Sequence, residues 1–469
     1  MQQLLDTANE WLWGALLLTL LLGAGIFLTF QSGFLQLRLR RVWKATFGAL
    51  FHGAKRTPEE KARGISPTQA VMTVLAGTIG TGNIVGVATA LATGGAGAIF
   101  WMWISAFFGM MTKYSEIVLA VRYRERGPDG RWRGGPMYYI EKGLHKPWLA
   151  RVFAVLCALC AFGIGNMTQM QAAAEALEGS FGVAPLAAGV AVAAVCGVVV
   201  IGGRQRIAQT NAKLVPLMGA FYVVGALICL GARFDRLGAA FGEIFTAAFT
   251  PTAAFGGLAG FSVAQAIRFG VARGLFTNEA GLGSAPIAHA SAEVESAHKQ
   301  GMWGIAEVFL DTIVMCTLTA LVILTADGAL WRGGQGGFAL TAAAFSETLG
   351  GFAGGFLSVA MVFFAAAAIL GWAFYGQSAV EYLSRGRRGA VRVYQALFLC
   401  AIVVGAAAPL QTVWGVADLL NGLMVIPNTA AVLLLYKKVF GPEAASAPPA
   451  AKRDGGRALR DDAAKAGRH

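Results

Sequence analysis

The stretch GTIGTGNIVGV, residues 77–87, places four glycines beside two threonines and an asparagine. Glycine lets a backbone leave helical angles at little steric cost. A helix interrupted at such a point presents N–H groups that suit a carboxylate and C=O groups that suit a cation or an ammonium. The chemistry that this stretch indicates is joint binding of a zwitterionic amino acid and a cation such as Na⁺.

The same glycines have two other interpretations. A phosphate-binding loop would need the pattern G-x-x-x-x-G-K-[ST] after a strand, and the stretch has neither the lysine nor the strand. Close helix packing through small residues remains open as the alternative. It gives no purpose to Thr81 and Asn83, which favours the binding interpretation.

The stretch lies inside a chain whose composition belongs to a membrane. Of 469 residues, 56% are hydrophobic and 13% are charged, and the mean hydropathy is +0.59. Charge this sparse cannot cover a soluble protein of this size. The first apolar run, residues 11–30, has no basic residue before it and no small-residue cleavage site, so we interpret it as a span rather than a signal peptide.

The net charge of +13 could suggest nucleic acid, but its distribution excludes that partner. Basic residues gather in alternate inter-span segments, which is the positive-inside pattern of a multi-pass cell-membrane protein. The pattern predicts an N-terminus outside the cell and a C-terminus in the cytoplasm; in a Gram-negative organism the membrane would be the inner one. This orientation requires an odd number of spans.

Hydropathy predicts an all-α integral membrane protein with eleven transmembrane helices. Their approximate bounds are 11–30, 67–93, 97–121, 149–177, 184–202, 211–232, 257–285, 302–325, 355–383, 391–409 and 413–436. Eleven is odd, as the charge pattern requires. The segment 338–352 is expected to form a short outer helix that caps the mouth.

Helix breakers recur five spans apart. GTIGTG interrupts the second span, RFGVARG interrupts the seventh, and GLGSAP follows it. Breakers at corresponding places in two halves indicate an inverted-repeat transporter with its site at the repeat interface. We therefore predict five-helix units at 67–232 and 257–437. An extra N-terminal helix lies at 1–35, a basic cytoplasmic segment at 36–66 and a disordered cytoplasmic tail at 438–469.

The motifs resemble those of one family of transporters. GGAGAIFWMWISAFFG at 94–109 is similar to the signature of the alanine or glycine:cation symporters, also called sodium:alanine symporters. GGPMYYIEKGL, GIGNMTQ, RGLFTNEAGLGSAP and GWAFYG follow in the family's order, and only the tail lies outside the resemblance. The resemblance implies the fold of the amino-acid/polyamine/organocation type, similar to that of the bacterial leucine transporter. It also implies Na⁺-coupled uptake of alanine or glycine by alternating access.

The resemblance implies roles for individual residues. The N–H groups of Thr81 and Gly82, after Gly80, would hold the substrate carboxylate. Asn83 and the Thr78 carbonyl would lie by one Na⁺. On the same match, the Ala76 and Ile79 carbonyls would face a second cation position, Gln169 would contact the substrate, Phe269 and Gly270 would open the break in the seventh span, and Trp372 would be a wall that limits substrate size. An interhelical hydrogen bond for Gln169 and plain packing for Trp372 are the alternative roles.

One departure from the family's pattern concerns the coupling ion. Hydroxyl side chains are expected at the positions of Ala367 and Ala368, and both residues lack them. The second cation position would then use carbonyls alone, or one Na⁺ would be bound, or H⁺ would drive transport. Proton-coupled amino-acid symport on the same fold is the alternative function.

Charged residues inside spans are costly and are usually paired or functional. We expect Arg273 to pair with Asp311, with a proton-relay carboxylate as the alternative, and Lys113 to pair with Glu116 three residues later. An intramembrane enzyme or a channel is disfavoured, because the sequence has no H-E-x-x-H and the pseudosymmetry lies within one chain. The six cysteines stand in apolar segments and are expected to pack rather than bind metal.

Overall fold

The computed structural model describes residues 2–48, 64–250, 262–294, 296–332, 336–408 and 410–442. Helices dominate these residues, with one antiparallel strand pair, β1 at Glu125–Arg126 and β2 at Trp132–Arg133. The α-helices are α1 Gln2–Trp11, α2 Leu17–Gln31, α3 Leu39–Ala45, α4 Pro67–Thr78, α5 Val85–Gly94, α6 Gly97–Arg122, α7 Pro136–Gly143, α8 Pro147–Phe162, α9 Thr168–Phe181, α10 Pro185–Val200, α11 Gly203–Ala232, α12 Leu237–Phe249, α13 Val263–Asn278, α14 Ala285–Ala290, α15 Ala297–Val308, α16 Thr317–Leu324, α17 Gly328–Arg332, α18 Gly337–Leu349, α19 Phe352–Leu383, α20 Arg388–Ala407, α21 Leu410–Leu434 and α22 Tyr436–Phe440.

Short non-α segments join several of these helices. π-Helical turns at Leu12–Leu16, Gly163–Met167 and Phe309–Cys316 connect α1 to α2, α8 to α9, and α15 to α16. 3₁₀ turns are found at Leu35–Leu37, Thr81–Asn83 and Phe234–Arg236. π-Turns of this kind are frequent at functional sites.

Within the described residues, 8 helical runs are long and apolar enough to cross a membrane, and the bent pair α4–α5 makes up to 9. The two remaining predicted spans correspond to α10 and α13, which have 16 residues each. The count of eleven therefore stays a prediction. The expected outer helix at 338–352 is present as α18, and its Thr341 hydroxyl donates to the Ile84 carbonyl over 3.4 Å.

The two broken segments begin in the same way. α4 follows a capping box in which Ser66 and Gln69 satisfy each other's backbone N–H groups. α13 follows an identical device made by Ser262 and Gln265. A capping box fixes where a helix starts. The shared Ser-x-x-Gln signature relates the starts of the two predicted repeats, although the division into repeats stays a prediction.

The helices pack in two groups around the first broken segment. α6 packs along α13 and α15, and α13 also packs on α5. In the other group, α19 packs on α8, α9 and α11. α4 contacts α19 and α11, so the break after α4 lies where the groups meet. Residues 49–63 of the predicted basic segment and 443–469 of the predicted tail lie outside the described residues.

Candidate substrate and cation site

The first helix break is at the predicted residues. α4 ends at Thr78, and Gly80 has an extended backbone with φ −126° and ψ −162°. α5 then continues at 55° to α4. The Gly80 N–H donates to Asn83 Oδ1 over 3.0 Å, and the Asn83 N–H donates to the Gly80 carbonyl over 3.2 Å. Asn83 thus closes the turn that replaces one turn of helix.

This turn deprives buried carbonyls of their helical donors. In a continuous helix the N–H groups of Gly80 and Asn83 would donate to Ala76 and Ile79. They donate instead to Asn83 Oδ1 and the Gly80 carbonyl. Ala76 is 0% exposed and Ile79 is 6% exposed. Carbonyl oxygens released at membrane depth can be satisfied by a hard cation, so the geometry fits the predicted role of both residues.

Gln169 reaches the break from the start of α9. Its Oε1 accepts from the N–H of Thr81 over 3.1 Å and from the Thr81 hydroxyl over 2.9 Å. Its Nε2 donates to the carbonyl of Ile164 over 3.0 Å, within the π-turn. The amide oxygen of Gln169 therefore accepts from the Thr81 N–H, which the family resemblance assigns to the substrate carboxylate. The interhelical hydrogen bond that was the alternative role for Gln169 is present.

The second break is not where the sequence placed it. α13 runs unbroken through Phe269 and Gly270 and ends at Asn278. A Cβ on Gly270 would lie 2.2 Å from the Ala98 carbonyl oxygen, so this glycine serves close packing of α13 on α6. The chain turns at Gly281, φ 93°, and Gly283, φ 79°, before α14. The prediction that Phe269 and Gly270 open the break is wrong.

The two breaks face each other across Gly82. A Cβ on Gly82 would lie 3.2 Å from Thr277 Cγ2 and 3.9 Å from Phe276 Cδ1. Thr277 and Asn278 are the last residues of α13. Neither residue is among the site residues predicted from the sequence. The signal was available, because they directly precede the Gly-rich turn that the sequence also noted.

Asp311 lies on the third side of this meeting point, in the π-turn after α15. Asn83 Nδ2 donates to Asp311 Oδ1 over 2.7 Å, and the Thr312 hydroxyl donates to Oδ2 over 2.9 Å. Asp311 is 0% exposed, and no basic side chain among the described residues lies within 4.0 Å of its carboxylate. A buried carboxylate without a cation is strongly unfavourable. This site therefore favours bound positive charge, as Na⁺ or as a proton.

The predicted Arg273–Asp311 pair is not formed. The Arg273 guanidinium lies over the ring of Phe276, 5.8 Å from the centroid, and 6.0 Å from that of Trp414. Arg273 is partly exposed, so water and the two rings can accommodate its charge. The spacing of residues along the chain does not reveal these contacts, because both aromatic faces are available to Arg273 only after folding.

Trp372 forms a buried wall behind the first break. A Cβ on Gly165 would lie 2.1 Å from Trp372 Cγ, so the indole packs directly on the π-turn beside Gln169. Ala368, one turn earlier on α19, would lie 3.5 Å from a Cβ on Gly80. One of the two positions where hydroxyl side chains were expected therefore lies beside the first break. The residue at that position, Ala368, is apolar.

A buried polar cluster supports the second break. Lys113 Nζ lies 3.8 Å from Glu307 Oε2, and Glu307 Oε1 lies 2.9 Å from His289 Nε2. Gln300 Nε2 lies 2.7 Å from His289 Nδ1. The predicted Lys113–Glu116 pair is wrong among the described residues, because Glu116 instead accepts from Asn428.

Comparison with known proteins covers nearly the whole chain. The sequence model of the sodium:alanine symporter family matches residues 1–444. This chain belongs to the sodium:alanine symporter family. It is a multi-pass membrane protein and a cation-coupled amino-acid symporter rather than an enzyme, as the sequence predicted. The family that the motifs indicated is confirmed.

Two relatives illustrate the match. The chain is 45% identical over 439 residues to the sodium/alanine symporter AgcS of Methanococcus maripaludis, covering 92% of this chain and 94% of the relative. It is 35% identical over 451 residues to YrbD of Bacillus subtilis, which has the provisional name sodium/proton-dependent alanine carrier protein. That alignment covers 93% of this chain and 90% of the relative.

Solved structures confirm the fold class. The manganese transporter of Eremococcus coleocola superposes with a TM-score of 0.57 at 13% identity, covering 83% of each chain. Mhp1, a nucleobase-cation-symport-1 family transporter, superposes with a TM-score of 0.51 at 14% identity, covering 85% of this chain and 98% of its own. At these identities the likeness concerns the fold alone. It confirms the predicted leucine-transporter-like architecture with discontinuous helices.

Proposed function

We propose that this symporter couples the entry of Na⁺ to the uptake of small neutral amino acids, alanine and glycine, by alternating access. The observation that carries the proposal is the contact of Asn83 with Asp311. It joins an interrupted helix, with N–H groups for a carboxylate, to a buried carboxylate that has no basic side chain within 4.0 Å among the described residues.

The substrate carboxylate would bind the N–H groups of Thr81 and Gly82, next to Gly80. Gln169 Oε1 now accepts from Thr81, so the substrate would either displace this oxygen or share the donors with it. Trp372 would limit the size of the substrate side chain. Phe276 and Thr277, which face Gly82, replace Phe269 and Gly270 in the proposed site.

Na⁺ would bind beside Asp311, with Asn83 and the Thr78 carbonyl nearby. The negative charge of Asp311 would attract the ion, and oxygen ligands suit a hard cation. The Ala76 and Ile79 carbonyls mark a second cation position. Ala368 lies 3.5 Å from the Cβ position of Gly80, which is next to Ile79 in the chain, and offers no oxygen from its side chain, which supports weak occupancy there or a single Na⁺.

Proton coupling is the second candidate. The Asp311 carboxyl could carry a proton in place of a sodium ion, and the name of the relative YrbD includes both ions. The apolar residues at Ala367 and Ala368 also favour this alternative. A proton and a sodium ion would neutralise the same carboxylate, so the two mechanisms differ in the ion and not in the site.

The proposed location is the cell membrane, with the N-terminus outside and the C-terminus in the cytoplasm. The substrate, the cation and the lipid bilayer are the partners that the proposal requires, and nucleic acid is not among them. The first half of α13 and the end of α1 would then lie on the outer side.

Transport into proteoliposomes tests the proposal. Labelled alanine is offered with an inward Na⁺ gradient and, separately, with an inward H⁺ gradient. Accumulation with Na⁺ alone is expected. Accumulation with H⁺ alone would replace Na⁺ by H⁺ as the coupling ion. Absence of accumulation under both gradients, with monodisperse protein, would contradict the proposed substrate.

A further inference from the structure

A cavity of about 540 Å³ lies beside the proposed central site. This open cavity is lined by α1 and the turn that follows it, by one face of α13, and by the start of α21. α1 and α2 form the additional N-terminal segment that stands outside the two predicted repeats. The proposed central site uses no residue of that segment.

The N-terminal segment is fixed in place as a wall of this cavity. Asn9 Nδ2 donates to the Gly415 carbonyl over 2.8 Å, and Trp13 Nε1 donates to the Asp418 carbonyl over 2.9 Å. Both bonds join a side chain of the N-terminal segment to the backbone of α21. The wall is therefore held by specific bonds as well as by apolar contact.

Four charged side chains line the cavity, and their charges sum to zero. Glu10 and Asp418 are acidic, and Arg268 and Arg273 are basic. Among the described residues, none of the four forms an ion pair within 4.0 Å. Charges of both signs that are separated rather than paired can interact with both ends of a zwitterion. An amino acid that carries a net charge would gain no net attraction, because its extra charge would be repelled by either the acidic or the basic pair as strongly as it is attracted by the other pair.

A single residue, Phe276, separates the floor of the cavity from the central site. Phe276 lines the cavity and also lies 3.9 Å from the Cβ position of Gly82. Its ring stacks on Trp414 with centroids 5.6 Å apart, and Arg273 lies over both rings. Phe276 therefore stands between the cavity and the first helix break.

We propose that this cavity is a peripheral binding site for zwitterionic amino acids, from which the substrate passes Phe276 to the central site. The N-terminal segment supplies one wall, and the balanced charges of Glu10, Arg268, Arg273 and Asp418 favour a zwitterion over an amino acid with a net charge, because the extra charge would lose hydration without a net attraction in return. This inference rests on the proposed function, because it takes the central site to bind amino acids. It adds a second place where specificity is determined.

Protection of an introduced thiol tests occupancy of the cavity without relying on transport. Ala272 lines the cavity, so Ala272→Cys is labelled with a charged thiosulfonate reagent in a Cys400→Ala background, which removes the exposed native cysteine. Glycine at millimolar concentration is expected to slow the labelling. The protection should persist when Gln169→Glu disables the central site. Labelling that glycine does not slow in this background would overturn the proposal.

Charge substitutions test selectivity. Glu10 and Arg268 are exposed at the cavity edge, so Glu10→Gln and Arg268→Gln should fold. In competition against labelled alanine, Glu10→Gln should strengthen inhibition by aspartate and weaken inhibition by lysine, each by about two- to fivefold, and Arg268→Gln should do the reverse. Glu178→Gln, an exposed carboxyl on α9 that does not line the cavity, is the control and should change neither.

Unchanged inhibition in both cavity variants would overturn the charge-selection role. The proposed function fails separately: a wild type that accumulates no alanine under either ion gradient contradicts it, while labelling of Ala272→Cys still reports whether glycine occupies the cavity. Accumulation by the wild type therefore tests the central site, and labelling of Ala272→Cys tests the peripheral one.

Discussion

Lys113 Nζ donates to the carbonyl of Asn278 over 2.9 Å, and Asn278 is the last residue of α13. The final carbonyls of a helix lack internal donors and carry partial negative charge. At the second break this end is buried in the protein, and a fully buried ammonium satisfies it. Glu307, 3.8 Å from the same nitrogen, balances the charge. The second break thus contains a built-in cation, whereas Asp311 at the first break has no basic side chain within 4.0 Å among the described residues.

Replacing the ammonium should destabilise the fold. Lys113→Met leaves Glu307 without its cation and Asn278 without a donor, and breaking a buried pair costs about 3–5 kcal/mol. Thermal unfolding in detergent should shift down by several degrees. In Lys113→Met with Glu307→Gln, the uncompensated charge is removed, and part of the loss should be recovered. A double variant no more stable than the single one would show that the pair itself contributes little.

Removing the charge of Asp311 should strongly weaken the response to Na⁺. Asp311→Asn keeps the size of the side chain but loses the charge that would attract the ion, so the Na⁺ concentration for half-maximal uptake should rise by about tenfold or more, equivalent to at least ~1.4 kcal/mol. A ligand that binds the native state raises its stability. Stabilisation by Na⁺ in thermal unfolding should therefore be present in the wild type and much smaller in the variant.

Asp235→Asn is the control for that experiment. Asp235 is exposed in the 3₁₀ turn before α12, and its substitution should leave the Na⁺ response unchanged. Retention of a normal Na⁺ response by Asp311→Asn would contradict the assignment of this carboxylate to the cation. Loss of an H⁺-driven activity in the same variant would instead support the proton alternative.

The sequence predicted the first break but misplaced the second, for a physical reason. Gly80 and Gly82 stand so close together that a continuous helix is improbable on local grounds alone. Gly270 is a single glycine, and whether it opens a helix or permits close packing depends on a neighbour distant in sequence. The Ala98 carbonyl oxygen lies 2.2 Å from where a Cβ on Gly270 would be, so this glycine permits close packing.

The partners of the buried charges could not be predicted from the local sequence either. Spacing of three residues suggested Lys113 with Glu116, but the side chains select Glu307 and Asn428, which are supplied by distant helices. The sequence placed Lys113, Glu116 and Asp311 inside spans, and all three are buried, whereas Arg273 is partly exposed. It could not identify their partners, because those depend on how helices pack.

The role of Gln169 can be separated from that of a simple structural contact. Gln169→Glu would place a carboxylate on the N–H of Thr81, where it would repel a substrate carboxylate, so uptake should be lost while the protein remains folded. Gln169→Met, of similar length but uncharged, leaves that N–H available, and measurable uptake should remain. Labelled-alanine uptake and size-exclusion profiles of both variants provide the measurement.

Two contrary outcomes would be informative. Normal uptake by Gln169→Glu would contradict the placement of the substrate carboxylate at Thr81. Complete loss in Gln169→Met, with folded protein, would show that the amide of Gln169 binds the substrate itself rather than yielding to it.

The packing of Trp372 on the π-turn gives the last prediction. Gly165→Ala would place a methyl group 2.1 Å from Trp372 Cγ, and the fully buried ring cannot yield without disturbing its neighbours. Overpacking of this kind costs about 1–3 kcal/mol. Because Trp372 is the proposed wall of the substrate pocket, thermal stability and alanine uptake should both fall.

Gly179→Ala on the adjoining helix α9 is the matched control for this substitution. Gly179 is exposed, and a Cβ there would contact nothing within 4 Å. The added methyl group should be neutral or stabilise the helix by about 0.5–1 kcal/mol, with uptake unchanged. If Gly165→Ala matched Gly179→Ala in unfolding temperature and in the Michaelis constant for alanine, Trp372 would not be a rigid wall, and substrate size would have to be limited elsewhere.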